Sequence, residues 1–103
     1  MEHTNGTRYT IHFSTERPGI GPTEHKAVME TVGRFADHYG IPGGTLYRAD
    51  GMWNAEWESA YSFTIITTDD DAPLVDALAY DIKKHYRQDA VLLTCDSITF
   101  AIG

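Results

Sequence analysis

Residues 45–68, TLYRADGMWNAEWESAYSFTIITT, decide the fold. The stretch is rich in aromatic and β-branched side chains and has reversal points at Asp50-Gly51 and Asn54, so it reads as two strands joined as a hairpin. Asp50-Gly51 fits a tight turn, or a bulge in a longer strand that reverses near Asn54-Ala55-Glu56. The second strand is plainer: Tyr61, Phe63 and Ile65 point one way, and Ser62, Thr64, Ile66 and Thr68 the other.

A helix is expected on each side of this hairpin. From about Thr23 to Tyr39, Val28, Val32, Phe35 and Tyr39 recur at helical spacing, with Thr23 as N-cap, Glu24 in the first turn and Gly40 then Pro42 as the stop. Downstream, Asp69-Asp70-Asp71-Ala72-Pro73 opens a helix striped by Val75, Leu78, Ile82 and Tyr86, with Lys83, Lys84 and Arg87 near its negative end. Outside the helices lie one more strand each. Arg8–Thr15 alternates with Tyr9, Ile11 and Phe13 on one side and Arg8, Thr10, His12 and Ser14 on the other. Ala90–Ile102 closes the chain, with an interruption expected near Asp96-Ser97, where apolar parity shifts from Val91, Leu93 and Cys95 to Ile98, Phe100 and Ile102.

Two strands between two amphipathic helices, rather than strict alternation, specify a βαββαβ order. One apolar stripe per helix and one apolar face per strand bury each other in two layers. Right-handed crossovers then give a ferredoxin-like α+β sandwich: a four-stranded antiparallel sheet with both helices on one face, built as one domain over residues 1–103. The far face of the sheet is expected to be mostly polar.

Composition narrows the function classes. The chain has 103 residues, 42% hydrophobic, and its apolar runs are far shorter than the roughly 20 residues of a membrane-spanning helix. No basic region followed by an apolar run opens the sequence, so a cytoplasmic protein without membrane association is expected. Cys95 is the single cysteine and reads as a small packed hydrophobe in the last strand. Fifteen acidic against eight basic residues give a net charge of −7, which disfavours direct nucleic-acid binding and suits a basic partner.

No spacing of His, Cys, Ser, Asp or Glu names a reaction, so no catalytic residue, metal or cofactor is assigned. Of the histidines at 3, 12, 25, 38 and 85, His25 and His38 fall about 220° apart around one helix and cannot share a metal. His85 follows Asp81 by one turn, as in a local surface contact. His12 is the better candidate for ligand chemistry, projecting from the open sheet face among hydroxyls. The loop before the first helix offers an anion or ligand site through Arg17, Gly19, Gly21 and Thr23. Acylphosphatases are similar in topology and hold phosphate in the corresponding loop with an arginine. Their valine-glutamine-glycine-valine signature is absent from residues 15–26, so their activity is not carried over.

Both tryptophans fall in the hairpin. Met52, Trp53 and Trp57 beside Asp50, Glu56 and Glu58 have the composition of an interface hot spot, and Asp69–Asp71 are expected to extend it into one negative, aromatic-studded edge. The leading expectation is an acidic, non-enzymatic module that binds a protein with a basic surface. An inhibitor occupying a partner's nucleic-acid groove, as small acidic phage anti-defence proteins do, is one form of it. The alternative is a small-ligand-binding or cofactor-free enzyme domain, a homodimer with sheets face to face around a polar pocket of His12, Ser62, Thr64 and Thr68 with Tyr47 or Arg48.

Overall fold

The computed structural model describes residues 1–16, 23–68 and 70–102. Its elements are β1 (His3–Ser14), α1 (His25–His38), β2 (Thr45–Trp53), β3 (Glu56–Thr67), α2 (Ala72–His85) and β4 (Leu92–Ala101). The strands form one antiparallel sheet in the order β2-β3-β1-β4, the ferredoxin-like arrangement expected from the segment order. No helix among the described residues is long and apolar enough to cross a membrane.

The core lies between the sheet and the two helices. Tyr9, Ile11 and Phe13 of β1 and Tyr61, Phe63 and Ile65 of β3 meet Val28, Val32 and Ala36 of α1 and Val75, Leu78, Ala79 and Ile82 of α2, all buried. Each fully buried aliphatic side chain contributes roughly 1.5–3 kcal/mol. The Phe13 ring stacks on Tyr61 at 5.8 Å and on Tyr86 at 5.9 Å, tying two strands to the end of α2. At the end of α1 the Tyr39 hydroxyl donates to Asp81 of α2, which raises the phenol pKa, chiefly through that hydrogen bond.

Helix termini depart from the sequence reading in one respect. Thr23 does not cap α1: its hydroxyl donates to the Thr15 carbonyl at 3.3 Å, and Glu24 takes the cap position without a side-chain bond. At the other end Gly40 has φ 69°, and Ile41 N–H donates back to the Ala36 carbonyl, closing the helix as expected. Arg87 closes α2 in the same left-handed conformation at φ 53°.

The strands outrun the helices at both ends. β1 starts at His3, before the alternation that signals it, because His3–Thr7 pair with Ser97–Ala101. The register is unbroken through Asp96-Ser97, so no bulge or hairpin interrupts β4. Parity shifts because the buried face changes. Leu93 packs against the core, whereas Ile98 and Phe100 lie on the opposite face, beyond the helices, where Ser97 and Thr99 are exposed. At the other end β3 extends past Ser14, which pairs with Ala60. The body is therefore elongated, 48 × 29 × 23 Å.

The hairpin reverses at Asn54-Ala55, not at Asp50-Gly51: Trp53 pairs with Glu56, and Asn54 and Ala55 have φ 51° and 64°. Two positive φ values in a two-residue loop match the right-handed twist of the strands, and the unbroken register makes Asp50 and Gly51 ordinary strand residues. Alanine is a poor occupant of that conformation, which costs a non-glycine residue roughly 1–2 kcal/mol. Ala55→Gly is expected to stabilise the protein by about 0.5–1 kcal/mol after glycine's larger unfolded-state entropy is deducted. The urea midpoint should rise with an unchanged m value.

Candidate functional site

Cross-strand register assigns every strand side chain to a face. The side away from the helices carries the even-numbered residues of β1, β3 and β4, with Thr45, Tyr47, Ala49, Gly51 and Trp53 of β2. Thr45, Thr64, Thr10 and Thr94 stand opposite one another in turn, forming a row of threonines across all four strands. The Thr10 and Thr64 hydroxyls share a 3.2 Å hydrogen bond. One row away, Tyr47, Ser62, His12 and Leu92 align, and His12 Nδ1 pairs with Ser62 Oγ at 2.8 Å. On the other side of the threonines Ile66, Arg8 and Asp96 align. Arg8 Nε and Nη2 donate to the two Asp96 carboxylate oxygens at 3.2 and 2.5 Å, and this bidentate bond, then the charge, raises the Arg8 pKa.

Two concavities meet at Tyr47 and Thr64, one on this surface and the other beside the β3 edge, reaching round to the helix side at Ile65, Thr67 and Asp71. The first, about 430 Å³, is floored by Thr64, Thr10 and Thr94 of that row and bounded by Arg8, Cys95, Asp96 and Tyr47. The second, about 630 Å³, is lined by residues 40–45, by Thr64–Thr67 and by Asp71. It forms because β2 begins at Thr45, opposite Thr64, so Ile65, Ile66 and Thr67 run on without a β2 residue beside them. Asp71 is fixed there by the Thr67 hydroxyl, which donates to its carboxylate at 2.9 Å. Tyr47 and Thr64 line both concavities, and Tyr47 is 57% exposed. Together the two offer stacking, hydroxyl, carboxylate and guanidinium groups to one elongated polar molecule.

The residues singled out from sequence are divided by this geometry. His12 gains a partner in Ser62 but lines neither concavity. Tyr47 joins the polar face, whereas Arg48, opposite Tyr61, belongs to the other one, because successive strand residues alternate. Arg17, Gly19 and Gly21 lie outside the described residues, and the Thr23 hydroxyl is engaged by Thr15. The tryptophans are exposed, Trp53 at 74% and Trp57 at 69%, but on opposite faces of the hairpin: Trp53 opposite Glu56 on the polar face, Trp57 opposite Met52 on the helix side. Glu58 accompanies Trp53, and Asp50 accompanies Trp57. The single negative edge does not form, since Asp70 and Asp71 follow the far end of β3 from the hairpin turn and Asp69 lies outside the described residues. Cys95 is exposed, not packed, because it sits on an edge strand.

Sequence reading put Asp71 in the negative edge and not beside the Gly40–Gly44 loop, and it missed the Arg8–Asp96 pair, whose members are 88 positions apart and are brought together only by the β1–β4 register. It also missed Glu16, which accepts from Ser59 N–H at 3.0 Å and braces the base of the hairpin.

No family model matches the chain, and no curated protein does. Solved structures do. A phage SAM lyase in complex with S-methyl-5′-thioadenosine matches with a TM-score of 0.76 and 15% identity over 94% of this chain and 90% of that one. The apo form of a phage SAM lyase matches at 0.71 and 16% over 95% and 90%. CPII, a nitrogen regulatory PII-like protein from Thiomonas intermedia K12 bound to ADP, AMP and bicarbonate, matches at 0.61 and 13% over 99% of each chain. At such identities the likeness is one of fold.

Gly44, which lines the second concavity, packs closely against β3. A Cβ there would lie 2.7 Å from Phe63 Cε1 and 3.0 Å from the Thr64 carbonyl oxygen. Gly44→Ala is therefore expected to cost about 1–3 kcal/mol as Phe63 is displaced, read as a lower urea midpoint.

Proposed function

We propose that this chain binds a cationic adenosine derivative and acts on S-adenosylmethionine as a lyase, releasing S-methyl-5′-thioadenosine. The observation that carries this reading is the pair of concavities joined at Tyr47 and Thr64, on a chain that superposes on the phage enzyme over 94% of its length. The larger concavity lies in the size range of small-molecule sites. Backbone groups of Gly43, Gly44 and Ile66 line the larger concavity beside a purine, and the Asp71 carboxylate accepts from ribose hydroxyls.

Charge favours a sulfonium over a phosphate. A net charge of −7 concentrates cations around the molecule and repels nucleotides such as the ADP and AMP held by CPII. At the junction, the Tyr47 ring attracts a sulfonium through its π face. Cleavage of the bond from sulfur to the four-carbon chain returns the bonding pair to sulfur, and a neutral thioether leaves without needing a proton. The carbon that loses sulfur is satisfied by the substrate's own carboxylate or by loss of a neighbouring proton. Positive charge disappears in that step, so an aromatic wall at sulfur suits the transition state better than a carboxylate, which would hold the ground state more tightly.

Incubation of purified protein with S-adenosylmethionine is expected to yield S-methyl-5′-thioadenosine by chromatography, with about tenfold or greater loss in Tyr47→Ala. No product, together with no rise in thermal midpoint on adding either compound, overturns the reading.

A second reading rests on the two exposed indoles. We propose that the hairpin, with Met52, Trp53 and Trp57 projecting beside Asp50, Glu56 and Glu58, docks on a basic protein surface, blocking a nucleic-acid groove in one form. Trp53→Ala and Trp57→Ala are each expected to reduce partner recovery in a pulldown from a host lysate. Equal recovery with both variants removes the hairpin as the docking surface.

A further inference from the structure

Resting on the small-ligand reading above, we propose that the Arg8–Asp96 pair is the subsite for an α-amino-acid zwitterion, the tail of the adenosine ligand. The pair stands at the end of the smaller concavity, across the threonine row from Tyr47. Arg8 and Asp96 are each about half exposed, at 47% and 50% of their side-chain surface, so both charges are open to a ligand. Only Nε and Nη2 of the guanidinium are engaged by Asp96. Five N–H donors in a planar fork leave Nη1 and one Nη2 hydrogen for a second carboxylate, and the Asp96 oxygens keep lone pairs for an ammonium.

A zwitterion thus matches the pair charge for charge, carboxylate on Arg8 and ammonium on Asp96. The hydroxyls of Thr10 and Thr94 lie beside them to accept or donate as the ligand requires. Tyr47 and Thr64 border both concavities, so a nucleoside in the larger one delivers its sulfur at Tyr47 and its tail over the threonines. A tail-less nucleoside leaves the pair untouched. A molecule with a phosphate in place of the amino acid meets Asp96 and is disfavoured.

The test compares S-adenosylhomocysteine, which carries the zwitterionic tail and an unreactive sulfur, with S-methyl-5′-thioadenosine, which lacks the tail. Calorimetry on the wild type, Arg8→Gln and Asp96→Asn is expected to give about tenfold weaker binding of the first ligand in each variant. Affinity for the second should be unchanged, which also reports that the variants are folded. Equal affinity of the wild type and both variants for S-adenosylhomocysteine, with thioadenosine binding intact, overturns the subsite alone. Parallel loss of both ligands in the variants overturns it too, assigning the pair a structural role. A wild-type protein that binds neither ligand overturns this inference together with the reading beneath it.

Discussion

Everything outside the core follows from one constraint: two helices bury their apolar stripes against a single face of a four-stranded sheet. Ile11 and Phe13 of β1 and Tyr61, Phe63 and Ile65 of β3 are the floor of that contact, with Val28, Val32, Val75, Leu78 and Ile82 above them. Because strand side chains alternate, the same choice commits Thr10, His12, Ser62 and Thr64 to the other face. The polar surface is a consequence of the core and not a separate construction. Its hydroxyls would be costly in the interior without partners and are well placed here, half-exposed and paired across strands.

The second organising fact is unequal strand length. Where β2 starts late, β3 runs on without a β2 residue opposite it and a concavity opens beside it. Towards the end of β4, Ile98 and Phe100 stand on the face away from the helices, and where β2 and β3 outrun β1, the hairpin carries two indoles into solvent on opposite faces. Concavity and hairpin therefore arise from the same mismatch between sheet and helix lengths. They are spatially distinct, and a ligand at one leaves the other available.

Similarity to the phage enzyme and to PII-like proteins establishes that this chain shares their fold. One fold serves both a phage SAM lyase and a nitrogen regulatory PII-like protein bound to ADP and AMP, so the discrimination must come from local chemistry. In this chain the local chemistry is a negative overall field, an exposed phenol at the junction of two concavities, and one guanidinium–carboxylate pair. The pair is absent from any sequence-local pattern, and so is the meeting of Asp71 with the Gly40–Gly44 loop.

Periodicity alone settled the six elements, their order and the inward side chains, because burial of one stripe or one face imposes a repeat that is visible in the chain itself. It also placed Gly40 at a helix end, where a left-handed conformation is required. It could not place Thr23, since a hydroxyl that can cap a helix can equally reach the carbonyl of Thr15. It misread the parity change at Asp96-Ser97 as a break, because the apolar residues of a strand can pass from one face to the other without any break in register. The row of threonines, the pairing of Arg8 with Asp96 and the separation of the acidic groups were decided by tertiary structure alone. Each depends on which residues of distant strands stand opposite one another, and register is set by the collective packing of a sheet on its helices, a property that no single segment carries.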